Sequence, residues 1–261
     1  MKHLELRFDA GIATVVLNRP DVRNAFNDEV IAELTAVFTE LGERAEVRCI
    51  VLAGNGPAFC AGADLNWMKR MAGYTREENL ADAATLAHML RVVYRCPKPT
   101  IARVHGDVYA GGTGLVAACD MAVSVDTAGY CFSEVKLGLI PATISPYVIR
   151  AIGARAAHRY FLTAERFGAA QALQIGFVHE VVTADQLDGK VAELAQHLLV
   201  AGPAAVKACK ELVQDVASRN ITQLLIDRTV EGIADIRVSD EGREGIQAFL
   251  GKRKPAWLTQ G

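Results

Sequence analysis

VHGDVYAGGTGLVAACDMAVSVDTAGYCFSEVKLGLIP, residues 104–141, holds two features that read as chemistry. The first is Gly111-Gly112-Thr113-Gly114, which follows an apolar strand-like segment and opens an apolar helical run. A glycine turn at a helix start exposes unpaired backbone N–H groups and the positive end of the helix dipole. Such a turn suits a phosphate, or a carbonyl oxygen that gains negative charge during a reaction. The second is Glu134, beside Cys131 and Phe132 and just ahead of an apolar, glycine-containing segment. A carboxylate kept partly dry has a raised pKa and moves protons near neutral pH. An oxyanion site with one acid/base carboxylate meets the needs of enolate chemistry.

Outward from this stretch, the pattern alternates strands and helices. Two alternating runs, 4–8 and 12–17, flank Asp9-Ala10-Gly11 and read as a hairpin. Residues 18–27, NRPDVRNAFN, read as a loop broken by Pro20. A helix is expected over 28–44, with Val30, Leu34, Val37, Phe38 and Leu41 on one face. A short apolar strand, 47–53, suits a sheet buried on both sides. A second glycine-rich loop, GNGPAFCAGADL, follows, and Asp64 stands where it would cap the next helix. Further helices are expected over 76–95, 147–152, 154–162, 169–175, 187–199, 203–216, 221–233 and 239–250. Strands are expected over 100–104, 120–125 and 177–182. Strands gather in the first two thirds and helices in the last third, so the expected class is α/β with a helical tail. The expected division is a core over 1–200 and a helical region over 201–261.

The bulk numbers limit the function classes. The chain has 261 residues, 51% of them hydrophobic, and a net charge of −2. That gives no electrostatic reason to bind nucleic acid. The one tight basic cluster is Lys252-Arg253-Lys254. The apolar run 115–125 is interrupted by Asp120, so no membrane span is expected. The six cysteines include no CxxC pair. They read as buried free thiols, and with no secretory segment at the start the expected compartment is the cytoplasm. None of the six histidines is paired at metal-ligand spacing, so no metal is expected. Trp67 and Met68 read as core or pocket wall, and Tyr109, Thr143 and Ser145 as candidate hydrogen-bonding partners of a substrate. Neither glycine loop matches a dinucleotide fingerprint or a phosphate loop. Two such turns can instead aim two N–H groups at one carbonyl oxygen, and spacing alone leaves their convergence open.

NRPDVRNAFN, AFCAGADL, GDVYAGGTGLVAACD, FSEVKLGLIP, ALQIGFVHEVV and AFLGKRKPAW occur in this order over nearly the whole chain. In this they resemble the enoyl-CoA hydratase/isomerase (crotonase) superfamily. The resemblance implies a ClpP-like spiral of ββα units and a helical C-terminal trimerisation region, giving a homotrimer or homohexamer. It implies an acyl-CoA substrate, with coenzyme A entering as part of that substrate and no other cofactor. It places the oxyanion donors on the N–H groups of Ala63 and Gly111, and general acid/base work on Glu134. It places substrate and CoA contacts on Arg23, Ala25, Ala61, Asp64, Leu65, Gly112, Gly114 and Lys252. Phe249 and Lys252 match a terminal helix that approaches the CoA of a neighbouring subunit.

The chain departs from the two-glutamate pattern of many hydratases in this superfamily, because the first of those positions is Gly114. One carboxylate is enough for 3,2-enoyl-CoA isomerisation. AGADLNWM, GGTGLVAACDMA, FSEVKLGLIPATISPYVIRAIG and RYFLTAERF, however, resemble bacterial methylglutaconyl-CoA and isohexenylglutaconyl-CoA hydratases, a subgroup that carries glycine there. The expectation is therefore hydration of a branched or glutaconyl-type 2-enoyl-CoA, as in leucine degradation. Gly114 would then make room for the substrate's own carboxylate. Isomerisation, and acyl-CoA binding with little turnover, are the alternatives.

Overall fold

The structure is a computed structural model that describes residues 1–258. The N-terminal hairpin forms as expected, β1 (Leu4–Asp9) pairing antiparallel with β2 (Ile12–Leu17). Helix α1 (Asp28–Glu43) is capped by Asn27 and buries Val30, Leu34, Val37, Phe38 and Leu41, together with Ile31. Strand β3 (Cys49–Gly54) is buried at every position, as its unbroken apolar run requires.

There follow β4 (Ala58–Cys60), α2 (Leu65–Met71), α3 (Arg76–Arg95), β5 (Thr100–Val104), β6 (Asp107–Tyr109) and α4 (Gly111–Ala118). After these come β7 (Met121–Val125), β8 (Gly129–Cys131), α5 (Ser145–Thr163), β9 (Phe167–Gly168), α6 (Ala169–Gln174) and β10 (Glu180–Val182). The chain ends with α7 (Leu187–Val200), α8 (Pro203–Val216), α9 (Gln223–Val238) and α10 (Asp240–Leu250). The expected break between helices 147–152 and 154–162 is a kink inside α5 at Gly153, whose φ of 71° leaves the helical region.

Two sheets organise the core. The larger runs β1-β2-β3-β5-β7-β10, parallel after the hairpin. The smaller runs β4-β6-β8-β9. Its strands are two or three residues long, too short to show alternation, and the sequence pattern does not mark them as strands. Strand–turn–strand steps carry the chain from the large sheet to the small one, from β3 to β4, β5 to β6 and β7 to β8. Each return to the large sheet passes through helix. This is the expected α/β spiral of ββα steps.

The C-terminal helices pack on one another, α10 against α8 and α9. A shielded ion pair ties α8 to the core. Lys210, with a side chain 7% exposed, reaches Asp120 at 2.8 Å, and Asp120 also accepts the amide and hydroxyl of Thr100. The last three residues of the expected 201–261 region lie outside the described residues. Among the described residues no helix is long and apolar enough to cross a membrane. All six cysteines are free. Cys49, Cys60, Cys96 and Cys131 are buried as expected, Cys119 is half-buried and Cys209 is exposed, against the expectation; desolvation pushes the thiols of Cys49, Cys60 and Cys119 up to about 12.

Candidate active site

The site is built where the small sheet ends. The 18–27 loop lies alongside the 61–64 loop through three backbone hydrogen bonds: Ala61 N–H to Arg23 carbonyl (2.9 Å), Phe26 N–H to Gly62 carbonyl (2.9 Å) and Asp64 N–H to Phe26 carbonyl (3.0 Å). These bonds bring Arg23, Ala25, Ala61, Ala63 and Leu65 into one neighbourhood. In a parallel bridge of this kind, Phe26 to Ala63, the N–H of Ala63 points away from its partner strand. Among the described residues that N–H forms no hydrogen bond.

The second glycine turn abuts the first. A Cβ placed on Gly62 would stand 3.0 Å from the Cβ of Ala110 and 3.1 Å from the carbonyl oxygen of Tyr109. The two loops therefore touch at the residues that directly precede Ala63 and Gly111. Ala110 holds the unusual φ of 44° and ψ of −125°, a conformation that a side-chain-bearing residue adopts only at a cost. That turn starts α4 at Gly111, whose N–H is among the unpaired groups of the first helical turn. The two turns thus lie in contact, and the N–H groups of Ala63 and Gly111 are both unpaired among the described residues.

Glu134 sits three residues beyond β8, on a single 3-10 turn, Glu134–Leu137, and not on a strand. Its Oε2 is buried and has no hydrogen-bond partner among the described residues. Burial raises its pKa, and the hydrogen bond from its own amide offsets this only in part. An unpartnered buried carboxyl oxygen costs stability and is kept where a substrate or water is to meet it.

Several expected contacts are corrected. Asp64 is committed to the protein: Oδ1 caps α2 by accepting the amides of Asn66 (2.8 Å) and Trp67 (3.3 Å), and Oδ2 pairs with Arg19 at 2.8 Å. Burial by itself raises the Asp64 pKa, but the bonds from Arg19, Asn66 and Trp67 outweigh it and the net shift is downward. With both oxygens used and 5% exposure, Asp64 positions the loop and does not face substrate.

Gly112 and Gly114 are packing glycines. A Cβ at 112 would stand 2.7 Å from the Cys60 carbonyl oxygen. At 114 it would overlap Cγ2 of Ile144 and lie 2.9 Å from that residue's Cβ. Ile144 is 1% exposed, so the space beside Gly114 is filled by a protein side chain and is not left open for a substrate carboxylate. Leu65 and Arg23 are exposed at the surface of the site. Phe249 in α10 and Lys252 just beyond it stand exposed, and α10 packs on α8 and α9.

Of the polar candidates, Ser145 donates to the Ala142 carbonyl (2.8 Å) and Tyr109 to Asp107 (3.0 Å), both local bonds. Trp67 is core, its Nε1 donating to Asp82 at 3.0 Å.

Sequence reasoning did not single out Arg19, Asn24, Phe26, Asp107 or Ile144. Buried Asn24 accepts the Arg19 amide and donates to the carbonyls of Asn55 and Ala58, fixing both loops at once. Asp107 accepts from Gly129 N–H (2.8 Å), Arg166 (2.8 Å) and the Tyr109 hydroxyl, tying β6 to β8 and to the segment before β9. The run of polar residues in NRPDVRN was the one signal available for the first two. Asp107→Ala is expected to lower stability by about 2 kcal/mol, because it strands the Gly129 N–H. Urea unfolding checks this, and an unchanged midpoint would discount the tie.

Residues 7–260 match the family model described as enoyl-CoA hydratase/isomerase. An enoyl-CoA hydratase of Shewanella pealeana has a solved structure with 43% identity and a TM-score of 0.95, over 98% of this chain and 96% of that one. An enoyl-CoA hydratase of Mycobacterium smegmatis is 33% identical with a TM-score of 0.92, over 98% and 99%. An enoyl-CoA hydratase of Alternaria alternata is 32% identical over 96% of this chain and 82% of its own length. The architecture is the crotonase fold.

Proposed function

We propose that this chain, which belongs to the enoyl-CoA hydratase/isomerase family, hydrates a 2-enoyl-CoA thioester of branched or glutaconyl type with one glutamate as acid and base. The observation that carries this reading is the Glu134 carboxyl on the turn after β8, raised in pKa by burial, with its Oε2 buried and without a hydrogen-bond partner among the described residues. Glu134 takes a proton from water. The oxygen of that water bonds to the substrate β-carbon, and the electron pair of the double bond passes to the thioester oxygen as an enolate. The N–H groups of Ala63 and Gly111 donate hydrogen bonds to that oxygen and stabilise its charge, and a single such donor is worth roughly a hundred- to thousandfold in rate. Glu134 then returns the proton to the α-carbon, so one carboxyl group serves both transfers. Arg23 suits a CoA phosphate, since it brings charge and several donors.

The glutaconyl assignment is supported by the motif resemblance. It is also supported by Lys136, exposed two residues beyond Glu134 and without an ion pair among the described residues. Isomerisation is the second reading, and the observation in its favour is that Ile144 occupies the space where a second carboxylate would stand. Acyl-CoA binding without turnover is disfavoured, because a binding module gains nothing from a carboxyl oxygen buried without a partner.

No cofactor is invoked beyond the CoA of the substrate, and six free thiols, four of them buried, accord with a reducing, cytoplasmic setting. A homotrimer or homohexamer accords with the apolar residues exposed on the last helices, among them Val213 at 66%, Leu224 at 64% and Phe249 at 82%.

The test is incubation with crotonyl-CoA, 3-hexenoyl-CoA and 3-methylglutaconyl-CoA in heavy-oxygen water, followed by mass spectrometry. The expected product is labelled hydroxyacyl-CoA, formed fastest from 3-methylglutaconyl-CoA. A shifted double bond without label establishes the isomerase, and equal turnover of crotonyl-CoA and 3-methylglutaconyl-CoA rejects the glutaconyl preference.

A further inference from the structure

We infer that Phe26 is a positioning residue that sets the separation of the two oxyanion donors, holding Ala63 with its backbone and Gly111 with its ring. This rests on the reading of Ala63 and Gly111 as the groups that bind the thioester oxygen. Two independent contacts meet in this one residue.

Its main chain fixes the first donor. The Phe26 N–H donates to Gly62 at 2.9 Å and its carbonyl accepts from Asp64 at 3.0 Å, so the peptide units on both sides of Ala63 are pinned to it. Its side chain fixes the second. The ring tip lies against the Cα of Gly111, so closely that a Cβ there would overlap Cζ and meet Cε1 at 3.2 Å and Cε2 at 3.3 Å. Gly111 cannot shift toward the ring without colliding with it.

The ring is itself held. Phe26 is 1% exposed and packs on Trp67, centroids 6.2 Å apart, and Trp67 is anchored to Asp82. A planar ring with two stiff torsions makes a better spacer than an aliphatic chain of similar bulk. A displacement of about 1 Å at a reacting group is enough to cost roughly a hundredfold in rate. A residue that spans both donors therefore governs the chemical step without touching substrate.

The experiment is a size-swap cycle. Gly111→Ala adds the methyl group that meets the ring. Phe26→Leu removes the ring atoms which that methyl would meet. Phe26→Met is the companion variant, since an unbranched thioether fills irregular space if leucine folds poorly. The readouts are kcat on the ester turned over fastest in the panel, and the Kd of the non-reacting butyryl-CoA by calorimetry.

Expected are a kcat about tenfold lower for F26L, at least about a hundredfold lower for G111A, and at least about tenfold higher for F26L/G111A than for G111A, with every Kd within about threefold of the unaltered protein. A general packing defect would weaken binding and turnover together and would give no rescue. The inference is overturned if F26L and F26M keep kcat within about twofold, or if the double variant is no faster than G111A. Glu134→Gln runs alongside as a separate control. Full activity in that variant overturns the assignment of the site itself, whereas its loss combined with an unaltered F26L overturns only the role of Phe26.

Discussion

Glu134→Gln is expected to lower kcat by about four orders of magnitude and to make the protein more stable above neutral pH. General acid–base catalysis contributes roughly a hundred- to ten-thousandfold. In the proposed mechanism both proton transfers fall on one group, so the loss belongs at the upper end. KM should stay within a few-fold, because the Arg23 and Ala61 loops that suit CoA are separate from the Glu134 turn.

The stability gain follows from the direction of the pKa shift. Burial raises the folded-state pKa of Glu134 above its unfolded value. Between those two values the folded chain holds a proton that the unfolded chain has lost, so stability declines as pH rises through that window. Above it the full cost of the buried charge is present, and glutamine does not carry that cost. Thermal unfolding at pH 4 and pH 8 checks the sign, with the gap between variant and wild type wider at pH 8. The rate profile gives a second check. Hydration needs Glu134 ionised, so kcat/KM should rise with pH across an inflection above the ordinary carboxylate value of about 4.3. Retention of more than about a tenth of the activity in E134Q would remove Glu134 from the chemistry.

Gly114→Glu is the second large effect. The substitution restores the carboxylate that the two-glutamate hydratases carry, yet it should destabilise this chain by about 3 kcal/mol or more. Overfilling a packed site costs about 1–3 kcal/mol, and a buried unpartnered carboxyl adds to that. The obstacle is specific: Ile144 stands where the new Cβ would go, and the tip of Leu90 lies 3.5 Å from the same point. Ile144→Ala alone should cost about 2–5 kcal/mol by leaving a cavity. Together the two changes should cost less than their sum by about 1–3 kcal/mol, because each relieves the strain or void made by the other. Urea unfolding of the four proteins closes the cycle, and strict additivity would show that the two residues do not share the space. If the double variant also gains turnover of crotonyl-CoA, the second carboxylate has been made functional.

These two residues show what was legible from the chain. Glu134 was found from its place in FSEVKLG, since a local motif is enough to mark a lone carboxylate before an apolar glycine segment. The helices α1, α3 and α7, the hairpin and the buried β3 were legible because amphipathic period and unbroken apolar runs are local properties. Gly114 was also seen as a departure from the family pattern, but its meaning was misread. A missing side chain looks like space in a sequence, and only packing shows that Ile144, thirty residues on, has taken it. Asp64 was read correctly as a cap through its local spacing. Its second bond, to Arg19, joins residues 45 apart, and no pattern of that length was available.

By itself the sequence determined the family, the α/β class, the order of the glycine turns and the position of the candidate acid/base carboxylate, because each rests on residues near one another along the chain. The tertiary structure decided that the turns meet, through β4 and β6 lying side by side in a sheet whose strands are too short to announce themselves. It also decided that the Oε2 of Glu134 is buried without a hydrogen-bond partner, and that Phe26 touches both glycine turns. Burial and contact are sums over distant parts of the chain, and they take a value only when the chain has closed on itself.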